Sequence, residues 1–463
     1  MTRIRHATAP DGTSPALAEL VERLGEAVLT SAEDMGQFRG DASRAEIAAL
    51  PLAVVAARTT ADISTALAWA NRHGIRVSVR GSGTGLAGGA VAYPQGLVIS
   101  LSRMSRILSI DPASRLARVE AGVITADIDD AAAEFGLMYA PDPASYRQST
   151  IGGNIATNAG GLRCVKYGVT ADSIAGLEVV LANGDVISTG SDTRKNVVGY
   201  DLTHLFVGSE GTLGVVTAAT VRLRPRPVGA TVTFRALFPT TAAAGKAVDS
   251  IMAGSVVPEM LELMDRLSVE IVEKHYPTGV DTGSAAAVLV GQFIGATAAD
   301  DASAALEQCR RAGSVSVESG EGDILLEARR VASRALSAEG LRVSSDVAVP
   351  ISRLAEMFAA IDRISSEEGV PIPTFAHAGD GNLHPSVIVT SDDQETLDRA
   401  ERILERISTE ALRLGGTLSG EHGVGSLKYA SLGRQLDPAT LATHRAIRLA
   451  LDPNQILSPG RGV

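Results

Sequence analysis

Three glycine-rich stretches punctuate the first half of this 463-residue chain, each set against an apolar run. The first is Arg80-Gly81-Ser82-Gly83-Thr84-Gly85-Leu86, continued to Gly88-Gly89. A tight turn between strands is one reading of it. The other is a nest of successive backbone N–H groups for phosphate oxygens, where absent side chains allow close approach to the main chain. No Gly-Lys-Ser/Thr follows, so it is not a Walker A loop. A dinucleotide fingerprint begun at Gly81 and Gly83 would need glycine where Leu86 stands. Residues 87–94 read poorly as a helix, so loop amides rather than a helix terminus would hold the phosphate. The second stretch, Pro141 to Gly168, carries Ser149, Thr150, Gly152, Gly153, Asn154, Asn158 and Gly160-Gly161 with little periodicity. It reads as a long functional loop suited to a large, flat, heteroatom-rich ligand. The third, Gly208-Ser209-Glu210-Gly211-Thr212-Leu213-Gly214-Val215, is by itself a turn at the start of a strand.

Around these loops the periodicity predicts elements. Residues 1–50 read as mostly helical, with 15–28 the clearest stretch. A strand at 52–57, a helix at 61–74 and a strand at 75–79 make a βαβ candidate. Strands are expected at 97–100 and 116–119, a helix at 125–136 with Thr125 as N-cap, and strands at 177–181, 186–188 and 214–223. Arg224-Pro225-Arg226-Pro227 reads as a boundary. Beyond it strands and helices alternate. A second glycine-rich turn falls between strands at 376–384, an amphipathic helix at 397–414 and a last helix at 441–451.

Composition removes several classes. Apolar residues, at 45%, supply large cores. A net charge of −11 and an aromatic content of 3% argue against a nucleic-acid partner. Two cysteines, Cys164 and Cys309, make neither a disulfide framework nor a thiolate zinc site, which suits a reducing cytoplasm. Residues 1–14 show no apolar secretory core, and no apolar run reaches the roughly 18 residues of a membrane span. A cytoplasmic protein is expected, with peripheral membrane association left open.

Histidine is scarce, at 8 in the chain, yet three fall in two short motifs. These are His377-Ala378-Gly379-Asp380-Gly381-Asn382-Leu383-His384 and Gly420-Glu421-His422-Gly423. Strands flanking the Gly379-Asp380-Gly381 turn would point both imidazoles to one side. With Glu421 they form a two-histidine, one-carboxylate set suited to Zn²⁺, Mn²⁺ or Fe²⁺, leaving His422 beside it to act as a base. Surface or capping histidines are the alternative.

These motifs carry resemblances. The three glycine loops resemble the FAD-binding domain of the vanillyl-alcohol oxidase / p-cresol methylhydroxylase (PCMH) superfamily. HAGDGNLHP at 377–385, SGEHGVG at 419–425, LDPNQILSPGR at 451–461 and SSDVAVPISRL at 344–354 are similar to the C-terminal half of FAD-dependent D-2-hydroxyacid dehydrogenases. The resemblance implies an α+β protein. An N-terminal helical segment (1–50) would precede a PCMH-type FAD-binding domain (51–227). A C-terminal FAD-linked oxidase domain with an antiparallel sheet (228–440) would hold substrate and metal, and a tail (441–463) would return to the FAD domain. It implies that Arg80, Gly81, Ser82, Gly83, Thr84, Gly85 and Leu86 wrap the FAD pyrophosphate. Pro141, Ser149, Thr150, Gly153, Asn154, Asn158, Gly160 and Gly161 would run beside the isoalloxazine and ribityl chain. Glu210, Gly211 and Val215 would contact the adenine half, and Asn382 and Asn454 would lie near the flavin. Thr84 stands where some members tether the cofactor through histidine, which implies non-covalent FAD. His377, His384 and Glu421 match the metal ligands, zinc first, with manganese or iron as the others. His422 matches the catalytic base, and Arg329 the arginine that binds the substrate carboxylate.

The implied reaction is FAD-dependent oxidation of a small D-2-hydroxyacid, D-lactate or glycolate, to the 2-oxoacid. Hydride would go to flavin N5, and His422 would deprotonate the metal-bound hydroxyl. Ser344 and Ser386 stand where D-2-hydroxyglutarate enzymes carry lysine and asparagine, so that dicarboxylate is the alternative. A different class, an FAD-containing transferase of the alkylglycerone-phosphate synthase type, is the other. The expected electron acceptor is a quinone, an electron-transfer flavoprotein, a cytochrome or an iron–sulfur subunit. A homodimer is open.

Overall fold

The computed structural model describes residues 15–43, 45–47, 50–283 and 285–463. The reading of residues 1–14 lies outside them. The described chain divides into two compact units. One takes the residues up to Ala159, Val169–Arg226 and His422–Val463; the other takes Gly160–Gly168 and Pro227–Glu421.

In the first unit, helix α1 (Pro15–Leu24) is followed by β1 (Val28–Leu29), β2 (Ala53–Ala56), α2 (Thr60–His73), β3 (Val77–Arg80) and β4 (Leu97–Ser100). The sheet order is β1-β2-β4-β3, with β2, β4 and β3 parallel and β1 antiparallel to β2. The expected strand–helix–strand is therefore present, with β4 inserted between its strands. Thr59 caps α2 by accepting from the Asp62 N–H at 3.2 Å, and Gly74 closes it at φ 62°. Strands β2 and β4 are wholly buried, as parallel strands covered on both faces must be. The first glycine loop leaves the carboxyl end of β3, the end where open parallel sheets receive ligands.

A second sheet holds β5 (Ile107–Asp111), β6 (Leu116–Glu120), β7 (Ile174–Val180), β8 (Val186–Gly190) and β9 (Val215–Arg222) in the order β5-β6-β9-β7-β8, antiparallel throughout. Two expectations are corrected beside it. Thr125 is the first residue of α3 (Thr125–Ala133), not its cap; Ile124 precedes it without a side-chain cap. The Thr125 hydroxyl instead donates to the Ser149 carbonyl at 3.2 Å and accepts from the Asn154 amide at 2.7 Å. The stretch read as a continuous loop contains a helix, α4 (Ile151–Thr157), capped by Thr150 and ended by left-handed Asn158 at φ 50°. Its glycines serve packing: a Cβ on Gly152 would stand 2.8 Å from the Ala121 carbonyl oxygen.

The last segment of this unit begins at His422, earlier than the expected tail at 441. The Glu210 carboxylate accepts from the Val424 and Gly425 N–H groups at 2.8 and 2.7 Å, which ties the segment down. Further on, Leu457 bridges β3 in parallel at Val77. Buried Arg448 donates to the carbonyls of Leu457, Ser458, Arg461 and Val463.

The second unit is built on one mixed-length antiparallel sheet. Its elements are β10 (Ala230–Phe238), α5 (Thr241–Met252), β11 (Met260–Asp265), α6 (Arg266–His275), β12 (Ala287–Gly295), α7 (Ala298–Arg311), β13 (Ser316–Glu321), α8 (Glu327–Glu339), β14 (Leu341–Ser344), β15 (Val347–Ala348), α9 (Leu354–Glu368), β16 (Thr374–His377), β17 (Asn382–Val389) and α10 (Gln394–Arg413). The strand order is β13-β10-β12-β11-β16-β17-β14, with β15 also on β17. One face packs under α5, α7, α9 and α10 through Phe234, Leu261, Leu263, Ala376, Leu383 and their partners. The other meets α6 and α8 through Met260, Met264, Val272, Val331 and Phe375. Alternation along β11 and β16 thus sends Glu262 and His377 to the α8 side. Gly160–Gly168 groups with this unit, and Val165 packs on Gly379, where a Cβ would lie 2.9 Å from the Val165 Cβ. Among the described residues, no helix is long and apolar enough to cross a membrane.

Candidate functional site

Strand register assembles a polar cluster on the α8 face of the second unit. Glu262 on β11 is the cross-strand partner of His377 on β16, and Phe375 is that of His384 on β17. The loop after Thr417 brings Glu421 to the same place. One ligand atom from each of His377, His384 and Glu421 lies within 4.8 Å of the other two. The rings meet edge to face, 5.0 Å between centroids.

The separations suit a cation. Glu421 Oε1 is 3.7 Å from His377 Nε2 and 3.4 Å from His384 Nε2. Ligand atoms about 2.1 Å from a tetrahedral ion stand about 3.4 Å apart. The His377 Nδ1–H donates to Glu262 Oε1 at 2.8 Å, which turns its Nε2 toward Glu421. Burial alone would push the His377 imidazole down. The Glu262 and Glu421 carboxylates outweigh that and hold it well above the ordinary histidine range, so the site favours positive charge. Burial pushes the nearby Asp380 carboxyl up to about 6. Buried Asn382, beside His384, keeps an Oδ1 with no hydrogen-bond partner among the described residues. That is a further sign of a polar guest.

Arg329 reaches this cluster from α8. Its Nε donates to Glu262 Oε2 at 2.6 Å, and its guanidinium lies over the Phe375 ring, 4.2 Å from the centroid. Glu421 is placed by Asp346, which accepts from its backbone N–H. Gly160 lies against Glu421, where a Cβ would stand 2.8 Å from Oε2. His422, next in the chain, is half-buried and opens the last segment of the first unit.

The residues expected at the cofactor lie mostly in the first unit. Arg80 ends β3, and its guanidinium donates to the Gly40 carbonyl and backs Gly83, which sits at φ 78°. Gly81 lies against the Thr150 side chain, which accepts from the Gly153 N–H at 3.3 Å. Ser82, Thr84 and Gly85 continue the loop to Leu86, exposed at its far end. Pro141 leads into the second stretch, and Asn158 Oδ1 accepts from the Ala171 N–H at 2.9 Å. Gly211, at φ 70°, faces Val79 and the Ser458 hydroxyl, and Val215 starts β9. The hydroxyls of Ser78, Ser149 and Ser458 are buried without a partner among the described residues. Bare glycines beside orphaned hydroxyls fit a ligand rich in phosphate and ribityl oxygens.

Four expected residues stand apart from that picture. The carboxylate of Glu210 is turned to the Val424 and Gly425 amides. Gly160 and Gly161 group with the second unit. Asn454 is exposed and donates to Asn71 Oδ1 at 2.8 Å; tail residues beside the third loop include Ser458 and Gly462. Sequence reasoning missed Glu262 and Asp346 as parts of the site. An acidic residue inside the apolar run Met260–Met264 was the available signal for Glu262.

Known proteins are similar to this chain along its length. A family model described as an FAD binding domain matches residues 51–190. One for the C-terminal domain of FAD linked oxidases matches residues 229–461. Glycolate oxidase subunit GlcD of Bacillus subtilis is 42% identical over 420 residues, covering 89% of each chain. D-lactate dehydrogenase of Archaeoglobus fulgidus is 37% identical over 414 residues, covering 89% of this chain and 91% of its own. Among solved structures, p-cresol methylhydroxylase superposes with a TM-score of 0.78 over 98% of both chains at 21% identity, a likeness of fold.

Proposed function

The chain belongs to the FAD-linked oxidases, and on that premise we propose that it oxidises a small D-2-hydroxyacid, D-lactate or glycolate, to the 2-oxoacid. It is a flavoprotein oxidoreductase. The observation that carries the substrate reading is the setting of Arg329. Glu262 takes its Nε and Phe375 covers one face of its guanidinium. The terminal nitrogens are left as a fixed fork for a carboxylate. His377, His384 and Glu421 would hold a divalent cation beside it, zinc by the donor set. Bound FAD would supply the two-electron acceptor, and a cation held by His377, His384 and Glu421 would supply Lewis-acid polarisation of the substrate hydroxyl. His422 takes the hydroxyl proton as general base. Ser344 and Ser386, partners across β14 and β17, put short hydroxyls at the two positions where D-2-hydroxyglutarate enzymes carry lysine and asparagine, which favours a monocarboxylate.

The test is turnover of the purified enzyme with an artificial dye acceptor on D-lactate, glycolate, L-lactate and D-2-hydroxyglutarate. D-lactate or glycolate should give the highest kcat/KM. A higher value for D-2-hydroxyglutarate would overturn the assignment of substrate size.

A further inference from the structure

Glu262 joins two functions that the site otherwise keeps separate. It is 1% exposed, in the middle of β11. Oε1 receives the His377 Nδ1–H at 2.8 Å, and Oε2 receives the Arg329 Nε–H at 2.6 Å. The cross-strand pairing of Glu262 with His377 fixes the first contact, and the Phe375 ring under Arg329 fixes the second. Phe375 is also 5.1 Å from the His384 ring. One buried carboxylate therefore holds both His377 of the candidate cation cluster and the Arg329 guanidinium.

We propose that Glu262 is a positioning residue that couples cation binding at His377, His384 and Glu421 to carboxylate binding at Arg329. The proposal rests on the reading of these residues given under Proposed function. A cation on His377 Nε2 polarises the imidazole and strengthens its Nδ1–H bond to Oε1. The carboxylate is then drawn toward histidine, and more of the Arg329 charge is left for a substrate. In the other direction, a carboxylate on the Arg329 fork offsets the guanidinium charge. Glu262 is then freer to polarise His377, which becomes the stronger ligand. Both shifts have the same sign, so each ligand should tighten the other, and linkage makes the two factors equal. Couplings of this kind are about 5–150-fold. Glutamine at 262 has a single acceptor oxygen. Its amide would present N–H groups to one of two N–H donors, so one of the two bonds must break and the charge is gone.

The experiment uses the full-length flavoprotein freed of metal by chelation, with its FAD retained. Mn²⁺ and Zn²⁺ affinities are measured by equilibrium dialysis, with and without saturating propionate. This probe has a carboxylate for Arg329 and no α-oxygen for the cation. In the unsubstituted protein propionate should tighten metal binding at least 5-fold. In Glu262→Gln the metal should bind about 10–100-fold more weakly, and propionate should no longer change it. Glu262→Asp, which keeps the charge, should recover part of the coupling. Flavin content and melting temperature establish that each variant is folded. Should Glu262→Gln fail to fold, the aspartate variant and the propionate effect in the unsubstituted protein still decide. An unsubstituted protein that binds metal with no propionate effect, or coupling that survives in Glu262→Gln, overturns the proposal alone. A protein that takes up neither metal overturns the cation-site reading and the proposal with it.

Discussion

Asp346 holds Glu421 through the main chain. Its fully buried Oδ2 accepts from the backbone N–H groups of Gly420 and Glu421, each at 2.7 Å, and the carboxylate also receives the Ser419 hydroxyl. Removing it takes the acceptor from these part-buried donors, at about 1 kcal/mol for each. Asp346→Ala should therefore lower the stability of the second unit and weaken metal binding by about 10-fold or more, while FAD stays bound. Thermal denaturation and metal dialysis on the same preparation check both effects. Full metal affinity in the variant would mean that Glu421 is held by something else.

A methyl group at position 160 would meet Glu421 Oε2 at 2.8 Å and its Cβ at 3.2 Å. Gly160→Ala should displace that carboxylate and cut metal affinity and kcat together. It should change stability by less than the roughly 2–5 kcal/mol of a core cavity, because no buried contact is lost. The check is metal content alongside the melting temperature.

Asp265 caps α6 and accepts from the Thr374 N–H of β16 at 2.9 Å, beneath the strand that carries His377. Burial pushes its carboxyl up to about 7 from an ordinary 3.8. Between those values the folded protein holds a proton that the unfolded chain releases. Its contribution is complete below about pH 3.8 and is lost as pH rises to about 7, by up to about 1.4 kcal/mol per pH unit. Denaturant titrations at several pH values inside that window should show a flatter profile for Asp265→Asn than for the parent. Identical slopes would mean that Asp265 is ionised throughout.

The resemblance puts Thr84, in the first glycine loop, where some members of the superfamily tether FAD through histidine; on the proposal of non-covalent FAD, the flavin should leave when the fold is lost. Acid precipitation should give a colourless pellet and a yellow supernatant. A yellow pellet would indicate a covalent link.

Much of this architecture is legible in the sequence, for physical reasons that also explain the gaps. Parallel strands β2 and β4 are buried on both faces, so they read as unbroken apolar runs. Helix α2 announces both ends, with Thr59 and Gly74. His377 and His384 stand out because histidine is rare and a glycine turn separates them. Helix α4 was missed because Gly152 and Gly153 lower helix propensity, whereas here Gly152 permits contact with Ala121. Glu262 and Asp346 escaped because their roles come from register and loop return, 115 and 75 residues from their partners His377 and Glu421. Asn454 was placed by its motif alone, and its side chain turns to Asn71.

The central claim is that a bound FAD is reduced by a D-2-hydroxyacid. An anaerobic absorbance spectrum, taken before and after D-lactate, glycolate or L-lactate, tests it most directly. The account predicts a yellow protein whose flavin bands bleach with D-lactate or glycolate and not with L-lactate. Flavin that bleaches equally with both lactates, or with neither lactate nor glycolate when the metal is present, would contradict it.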